Sequence, residues 1–230
     1  MATIFNGFSK KSLTFLAEVH KRNSKKWFEQ NRSMYENYLL EPFRNLVAEL
    51  GGEMQKIDAD FEVRPQINKT ISKIYRDTRF SKDKSLFKKA MWLTFKKQSK
   101  DWKDAPAYFF ELMIDSYRYG LGYYSASRST MDLFRESIDN NQKKFLKAIS
   151  FYKKDSLIDL KGEIYKRPLK CNHSQLIQDW YQRKSFYLVK TCKIDKILFS
   201  PALKVDLVKC FRTLGPLYKY LLNIADITNK

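Results

Sequence analysis

The sequence predicts an α+β fold: a mostly antiparallel sheet in the middle of the chain, flanked by N-terminal and C-terminal helices. Three observations carry this reading. The first third repeats its apolar residues at helical spacing, the middle third alternates them, and the last third returns to helical spacing. Helices, then strands, then helices again favour segregated α and β elements over a parallel α/β sheet. The 230 residues contain no internal repeat, low-complexity segment or linker, so one domain over 1–230 is expected.

Taken in order, Ser9 can cap a helix with Leu13, Leu16, Ala17 and His20 on roughly one side. A second helical pattern runs from about Lys25 to Leu50 through Trp27, Phe28, Tyr35, Tyr38 and Leu39. Pro42 is expected to end or kink it, and Gly51-Gly52 to stop it. Phe61 to Arg64 reads as a short extended segment before Pro65, Lys69 to Phe80 as an alternating strand, and Met91 to Phe95 as another. From Tyr108 to Asp115 the alternation is strongest, with Tyr108, Phe110, Leu112 and Ile114 on one face. A turn at Asp115-Ser116 then returns the chain through Tyr117 to Tyr124. Gly120 and Gly122 inside that return strand indicate a bulge or the close approach of another backbone or a ligand. Ser129 and Asp132 resemble a capping box for a helix through Leu133, Phe134, Ile138 and Phe145. Lys161 to Asn172 is a basic loop. Ser174 is expected to cap a short helix, Ser185 to Ile194 to form a strand, and Pro201 to open a last helix running to about Ile224.

With 43% hydrophobic and 15% aromatic residues the chain can fill a core, which excludes a disordered polypeptide. No apolar run approaches the ~18 residues of a membrane helix, and Met1 to Lys11 has no continuous apolar segment, so neither membrane insertion nor a signal peptide is expected. Cys171, Cys192 and Cys210 are too few and too scattered for a disulfide framework; the cytoplasm is expected because no signal peptide is read. His20 and His173 lie far from one another and from paired cysteines, so no zinc pattern is present; a carboxylate magnesium site stays open.

The net charge of +19 is unevenly distributed. Residues 1–62 are neutral overall, 63–104 carry thirteen basic against four acidic groups, and 140–190 carry twelve against four. Such segments suit a polyanion, whether nucleic acid or a phosphorylated metabolite, or simply a solvated lysine-rich surface. The sequence lacks a Walker loop, a dinucleotide fingerprint, Gly-x-Ser-x-Gly and His-Glu-x-x-His.

The densest chemistry lies in Arg76-Asp77-Thr78-Arg79-Phe80-Ser81-Lys82-Asp83-Lys84. It reads as a strand end, a turn and a helix start near Lys84, capped by Ser81 or Asp83, whose amides would face an anion. Arg76 and Arg79 can fork onto a phosphate or carboxylate, with Lys84 and Lys88 adding charge. Asp77 or Asp83 can orient an arginine, hold a metal or act as a base. A purely structural Arg–Asp network pinning the turn is equally consistent with these residues. His173, beyond a basic loop with Lys166, Arg167 and Lys170, is a further acid or base candidate. Cys171 reads as an inert thiol. Trp92, Trp102, Tyr108 and Tyr123 can stack bases but sit at strand spacing, where aromatics are usually core.

This segment resembles the signature of an uncharacterised family of bacterial and fungal proteins, domain-of-unknown-function family 2461. Its pattern is roughly Arg-x-x-Arg-Asp-x-Arg-Phe, then Asp or Asn with Lys, then Tyr two residues on. Arg76, Asp77, Arg79, Phe80, Asp83 and Lys84 match; Lys73 stands at the first Arg and Phe87 at the Tyr. Phe8, Leu13, Phe15, Leu16, Trp27-Phe28, Tyr35, Gly120-x-Gly122, Arg135 and the Arg167-Pro168 loop before His173 extend the resemblance over nearly the whole chain. It brings no established activity, and Phe87 excludes any mechanism that needs a phenol there. The functional expectation is therefore an anion site made of Arg76, Arg79, Lys84, Lys88, Arg135 and Arg167, possessed of an unknown cofactor requirement and an open question of catalysis. A nucleic-acid-binding module and a protein-interaction scaffold are the alternatives.

Overall fold

The computed structural model describes residues 4–79, 81–98, 102–152 and 157–228. The fold is α+β. Helices α1 (Lys10–Arg22), α2 (Lys25–Gln30), α3 (Arg32–Tyr35) and α4 (Glu41–Ile57) precede the sheet, with a π-helical turn over Glu36–Leu40. The sheet consists of β1 (Ala90–Phe95), β2 (Ala107–Met113), β3 (Ser116–Gly122), β4 (Asp159–Lys161) and β5 (Tyr187–Lys193), in the order β1-β2-β3-β5-β4. Between its strands lie α5 (Arg128–Asn140), α6 (Gln142–Ala148) and α7 (Gln175–Tyr181), and α8 (Ala202–Thr228) follows. Strand β4 pairs antiparallel with β5, Leu160 opposite Leu188. Among the described residues no helix is long and apolar enough to cross a membrane.

The chain divides into two compact units. The first comprises Met1–Phe95, Phe109–Tyr119 and Thr191–Lys209. Ser9 caps α1 as its sequence requires: its hydroxyl accepts from Ser12 N at 3.2 Å, and Ser12 Oγ accepts from Ser9 N at 3.0 Å. The buried stripe of α1 is Ser12, Phe15, Leu16 and Val19, rotated from the expected Leu13 and His20 side because the two phenylalanyl rings at 15 and 28 pack together. The long helical pattern from Lys25 is broken earlier than expected. Asn31 separates α2 from α3, and the π turn precedes Pro42, where a widened turn relieves the clash of the proline ring with the carbonyl four residues back. Gly51-Gly52 does not stop the helix; α4 continues to Ile57, because Leu50, Gly51 and Met54 are buried and Gly51 faces the Val63 side chain. Gly7, at φ +98°, is the one residue type that fits its place, since a Cβ would sit 2.3 Å from Ser200 N. Phe8 then stacks on Phe110 at 5.7 Å and meets Phe43 edge-on at 5.0 Å.

The second unit comprises Lys96–Tyr108, Gly120–Lys190 and Cys210–Lys230. Its core is aromatic: Phe134, Phe145, Trp180, Phe186 and Tyr220 form a chain of ring contacts 5.0–5.6 Å apart. Ser127, not Ser129, caps α5, its hydroxyl accepting from Thr130 N at 3.2 Å. Asp132 is thereby freed from capping and pairs with Arg135 and Arg128. Ser174 precedes α7 without a side-chain cap, and Gln178 instead donates to the carbonyl of His173 at 2.8 Å.

Gly120 and Gly122 lie where another backbone comes close. A Cβ on Gly120 would sit 1.8 Å from Leu188 O, and one on Gly122 would sit 2.4 Å from Tyr187 Cα. Backbone cannot move aside as a flexible side chain does. Gly120→Ala should therefore cost about 3 kcal/mol or more by overpacking, read as a lowered denaturant midpoint at unchanged slope; a variant within about 0.5 kcal/mol of the parent would refute this packing account.

Candidate functional site

The turn lies in the first unit. Residues 69–80 do not form the expected continuous strand; the segment is tied by isolated bridges, Ile71 to Leu93 and Tyr75 to Phe87, and Phe80 lies outside the described residues. Arg76 N donates to Leu86 O at 2.8 Å and Lys88 N to Ile74 O at 2.9 Å. Tyr75 and Phe87 are thus the close, non-hydrogen-bonded pair of an antiparallel ladder, and their rings meet at 4.9 Å against Phe28. Alternation sends Arg76 and Lys88 to the opposite face. The end of α1 clamps the turn: Asn23, in the left-handed region at φ 46°, accepts from Leu86 N through Oδ1 at 2.6 Å. His20 Nδ1 lies 3.3 Å from Phe87 O.

No helix begins near Lys84; residues 81–89 run through a turn and a bridge directly into β1. Asp83 Oδ1 accepts from Ser85 N at 2.9 Å, a local turn that competes with helix formation and leaves the chain extended for Phe87. The expected row of helix amides is consequently missing from this site.

Each arginine of the turn holds an aspartate. Arg76 Nη1 contacts Asp83 Oδ2 and donates to Ser85 Oγ at 2.7 Å, while Nη2 donates to Ser81 Oγ at 3.2 Å. Arg79 grips Asp77 bidentately, Nε at 3.0 Å and Nη2 at 2.7 Å, and its own amide adds a third bond at 3.2 Å. Lys84 Nζ donates to Thr78 O at 2.9 Å. Arg79's hydrogen bonds hold the Asp77 carboxyl down to about 2, and the Ser85 amide and hydroxyl, with Arg76, hold Asp83 well below the carboxylate range. Both are therefore anions at neutral pH and weak bases. Among the described residues no group of three or more His, Cys, Asp or Glu is placed to hold a metal ion.

Lys88 is different. Its Nζ lies 4.0 Å over the Trp92 ring and donates to Lys73 O at 2.6 Å. Burial and the neighbouring Lys73 ammonium push it down to about 8 from an ordinary 10.5.

Arg135, Arg167 and His173 belong to the second unit. Arg135, only 5% exposed, donates to Tyr181 O at 3.0 Å, Arg183 O at 2.7 Å and Asp132 at 2.8 Å. It closes the C-terminal end of α7 and has its guanidinium committed to that task. Arg167 is exposed on the loop after β4. His173 Nε2 lies 2.7 Å from Asp139 Oδ1, and Nδ1 lies 3.0 Å from Gln142 Nε2. The Tyr181 hydroxyl donates to the other Asp139 oxygen at 2.9 Å, and burial followed by this bond pushes the phenol up to about 12. The His173 side chain is 8% exposed with both nitrogens engaged, so a role as acid or base would require Gln142 to move. Cys171 is a free thiol that accepts from Gln182 Nε2 at 3.6 Å. Tyr108 and Tyr123 are core residues.

One grouping was missed in the sequence. The Tyr124 ring, 69% exposed, lies 5.1 Å from Trp102, over which Lys96 places its ammonium at 3.4 Å. The signal was the tandem Tyr123-Tyr124, whose two rings must face opposite ways as the strand ends.

The family model for a conserved hypothetical protein, DUF2461, matches residues 11–220. The chain belongs to this family. Among curated proteins no match was found. In this DUF2461 member the Arg-Asp-x-Arg motif forms a turn closed by its own ion pairs, and Arg135 is a buried tie. Arg135→Met should lower stability by about 3 kcal/mol, since two carbonyls and Asp132 lose their donor; unfolding by urea measures it, and a loss under 1 kcal/mol would contradict the role.

Proposed function

We propose that this protein, a single cytoplasmic domain, binds a phosphate- or carboxylate-bearing ligand on the ladder face that carries Arg76 and Lys88, with Arg79 and Lys84 at the edge of the turn. The placement of Lys88 carries the reading. Its ammonium is partly withdrawn from water beside a second ammonium, while both aspartates of the turn are committed to arginines. That arrangement is unfavourable for the empty protein and is relieved when an anion docks. Asp83, exposed on Arg76, stands where a ligand carboxylate or phosphate would bind the same fork. Cys171, Cys192 and Cys210 form no disulfide, which suits a reducing compartment. The lysine surplus of residues 63–104 favours a second reading, a nucleic-acid-binding module, whose affinity would fall with a log–log salt slope of about −0.9 per duplex phosphate contacted.

Two results test the first reading. Asp83→Asn keeps an acceptor for Ser85 N but removes the competing charge, so sulfate affinity should rise about twofold to fivefold, the worth of an exposed ion pair. Arg79→Ala should weaken sulfate binding at an unchanged melting temperature, because Arg79 is 77% exposed. A drop in affinity with Asp83→Asn would overturn the assignment.

The pH dependence follows from Lys88. Its ammonium is present below about pH 8 and is lost as pH rises through that value, so sulfate binding, measured by calorimetry, should be level up to pH 7 and fall above 8. Between about 8 and 10.5 the unfolded chain binds more protons than the folded one, so the same group's contribution to stability rises over that window. Binding that stays level to pH 10 would assign the anion to the arginines alone.

A further inference from the structure

We propose that Tyr124 and Trp102 form a stacking platform for the bases of a single-stranded nucleic acid, with the Lys96 ammonium against one face of Trp102. The proposal rests on the nucleic-acid reading above and not on the anion site of the turn.

The two rings lie 5.1 Å apart at 48° and are fixed from below. Asp104, two residues after Trp102, contacts Ser127 N and accepts from the Thr130 hydroxyl at 2.9 Å. This one carboxylate fastens the Trp102 loop to the chain that leaves Tyr124 and starts α5. Tyr123, the neighbour on the other face, is buried and 5.6 Å from Phe186, which sets the backbone direction at Tyr124 and holds its ring in water. An aromatic residue kept outside by its own anchored neighbours offers a π face with little ordering left to do on binding. Lys96 places its ammonium over Trp102, and Lys103 is exposed beside that ring in sequence. Aromatic faces among cations bind single strands by stacking bases while the charges follow the phosphates. A mononucleotide could use the same rings, but Lys96, Lys97 and Lys103 flank Trp102 in sequence and match a repeating phosphate backbone.

The test uses the full chain and fluorescence anisotropy with a short single-stranded DNA and an abasic deoxyribose-phosphate oligomer of equal length, at low and physiological salt. The base-bearing strand should bind about tenfold or more tighter, and Tyr124→Ala should remove that difference without moving the melting temperature. Intrinsic tryptophan emission should be quenched on binding, and the quenching should shrink in Trp102→Phe. Equal affinity for both oligomers, each falling with salt, would overturn the platform while leaving the nucleic-acid reading standing. No binding of either at low salt would overturn both. The comparison on the unsubstituted protein decides the matter even where a variant fails to fold.

Discussion

Tyr75 and Phe87 face each other across the ladder, and Phe28 of α2 seats against both at 5.4 and 5.2 Å. Phe87 is wholly buried. With Tyr75 and Phe87 on the face that meets Phe28, Arg76 and Lys88 lie on the other face, which also carries the buried Ile74. The contact also explains why Phe is well suited at 87, where the family pattern has Tyr: a phenol hydroxyl there would need a buried partner, and a bare ring does not. The turn between them is closed by the Arg76 N to Leu86 O bond and by its ion pairs, and Asn23 at the end of α1 supplies the outside anchor through Leu86 N.

Charge in the turn is arranged by residue type. Arginine, with its planar fork, takes the aspartates; lysine keeps the surplus. The carboxylates of these pairs are exposed, so each pair contributes little to stability, and in the proposed site another anion would replace the carboxylate. A buried arginine behaves differently, as Arg135 shows. Its donors are spent on two main-chain carbonyls and Asp132, and removing it would strand them. The same residue type thus pairs with exposed aspartates at 76 and 79 and serves as a fixed tie at 135, and burial separates the two.

Much of the fold was legible because period and burial agree. The alternation of β2 was read correctly, with Tyr108, Phe110 and Leu112 on the buried face, as were the Ser9 cap and the close approach at Gly120 and Gly122. What failed were places where local chemistry outranks period. Gly51-Gly52 stays helical because burial of Leu50 and Met54 offsets a propensity cost of about 1 kcal/mol per glycine. The capping serine of α5 is Ser127 because Asp104 fixes the chain there, a contact 23 residues distant in sequence. The helix expected at Lys84 is absent because Asp83 bonds the Ser85 amide and Phe87 is needed in the three-ring contact.

The loss of that helix alters what kind of anion site the turn can be. A helix N-terminus binds a phosphate through fixed main-chain amides, and neither salt nor side-chain substitution removes them easily. In the proposed site recognition would fall to side chains: two guanidiniums already holding carboxylates, and the half-buried Lys88 ammonium. The proposed site would gain its affinity by exchange, one anion replacing another on Arg76 or Arg79, and by pairing the Lys88 ammonium. Both contributions are gated by protonation and by competition from within the chain. The titration of Lys88 and the carboxylate of Asp83 are therefore the two quantities on which the proposed ligand affinity of this turn would depend most directly.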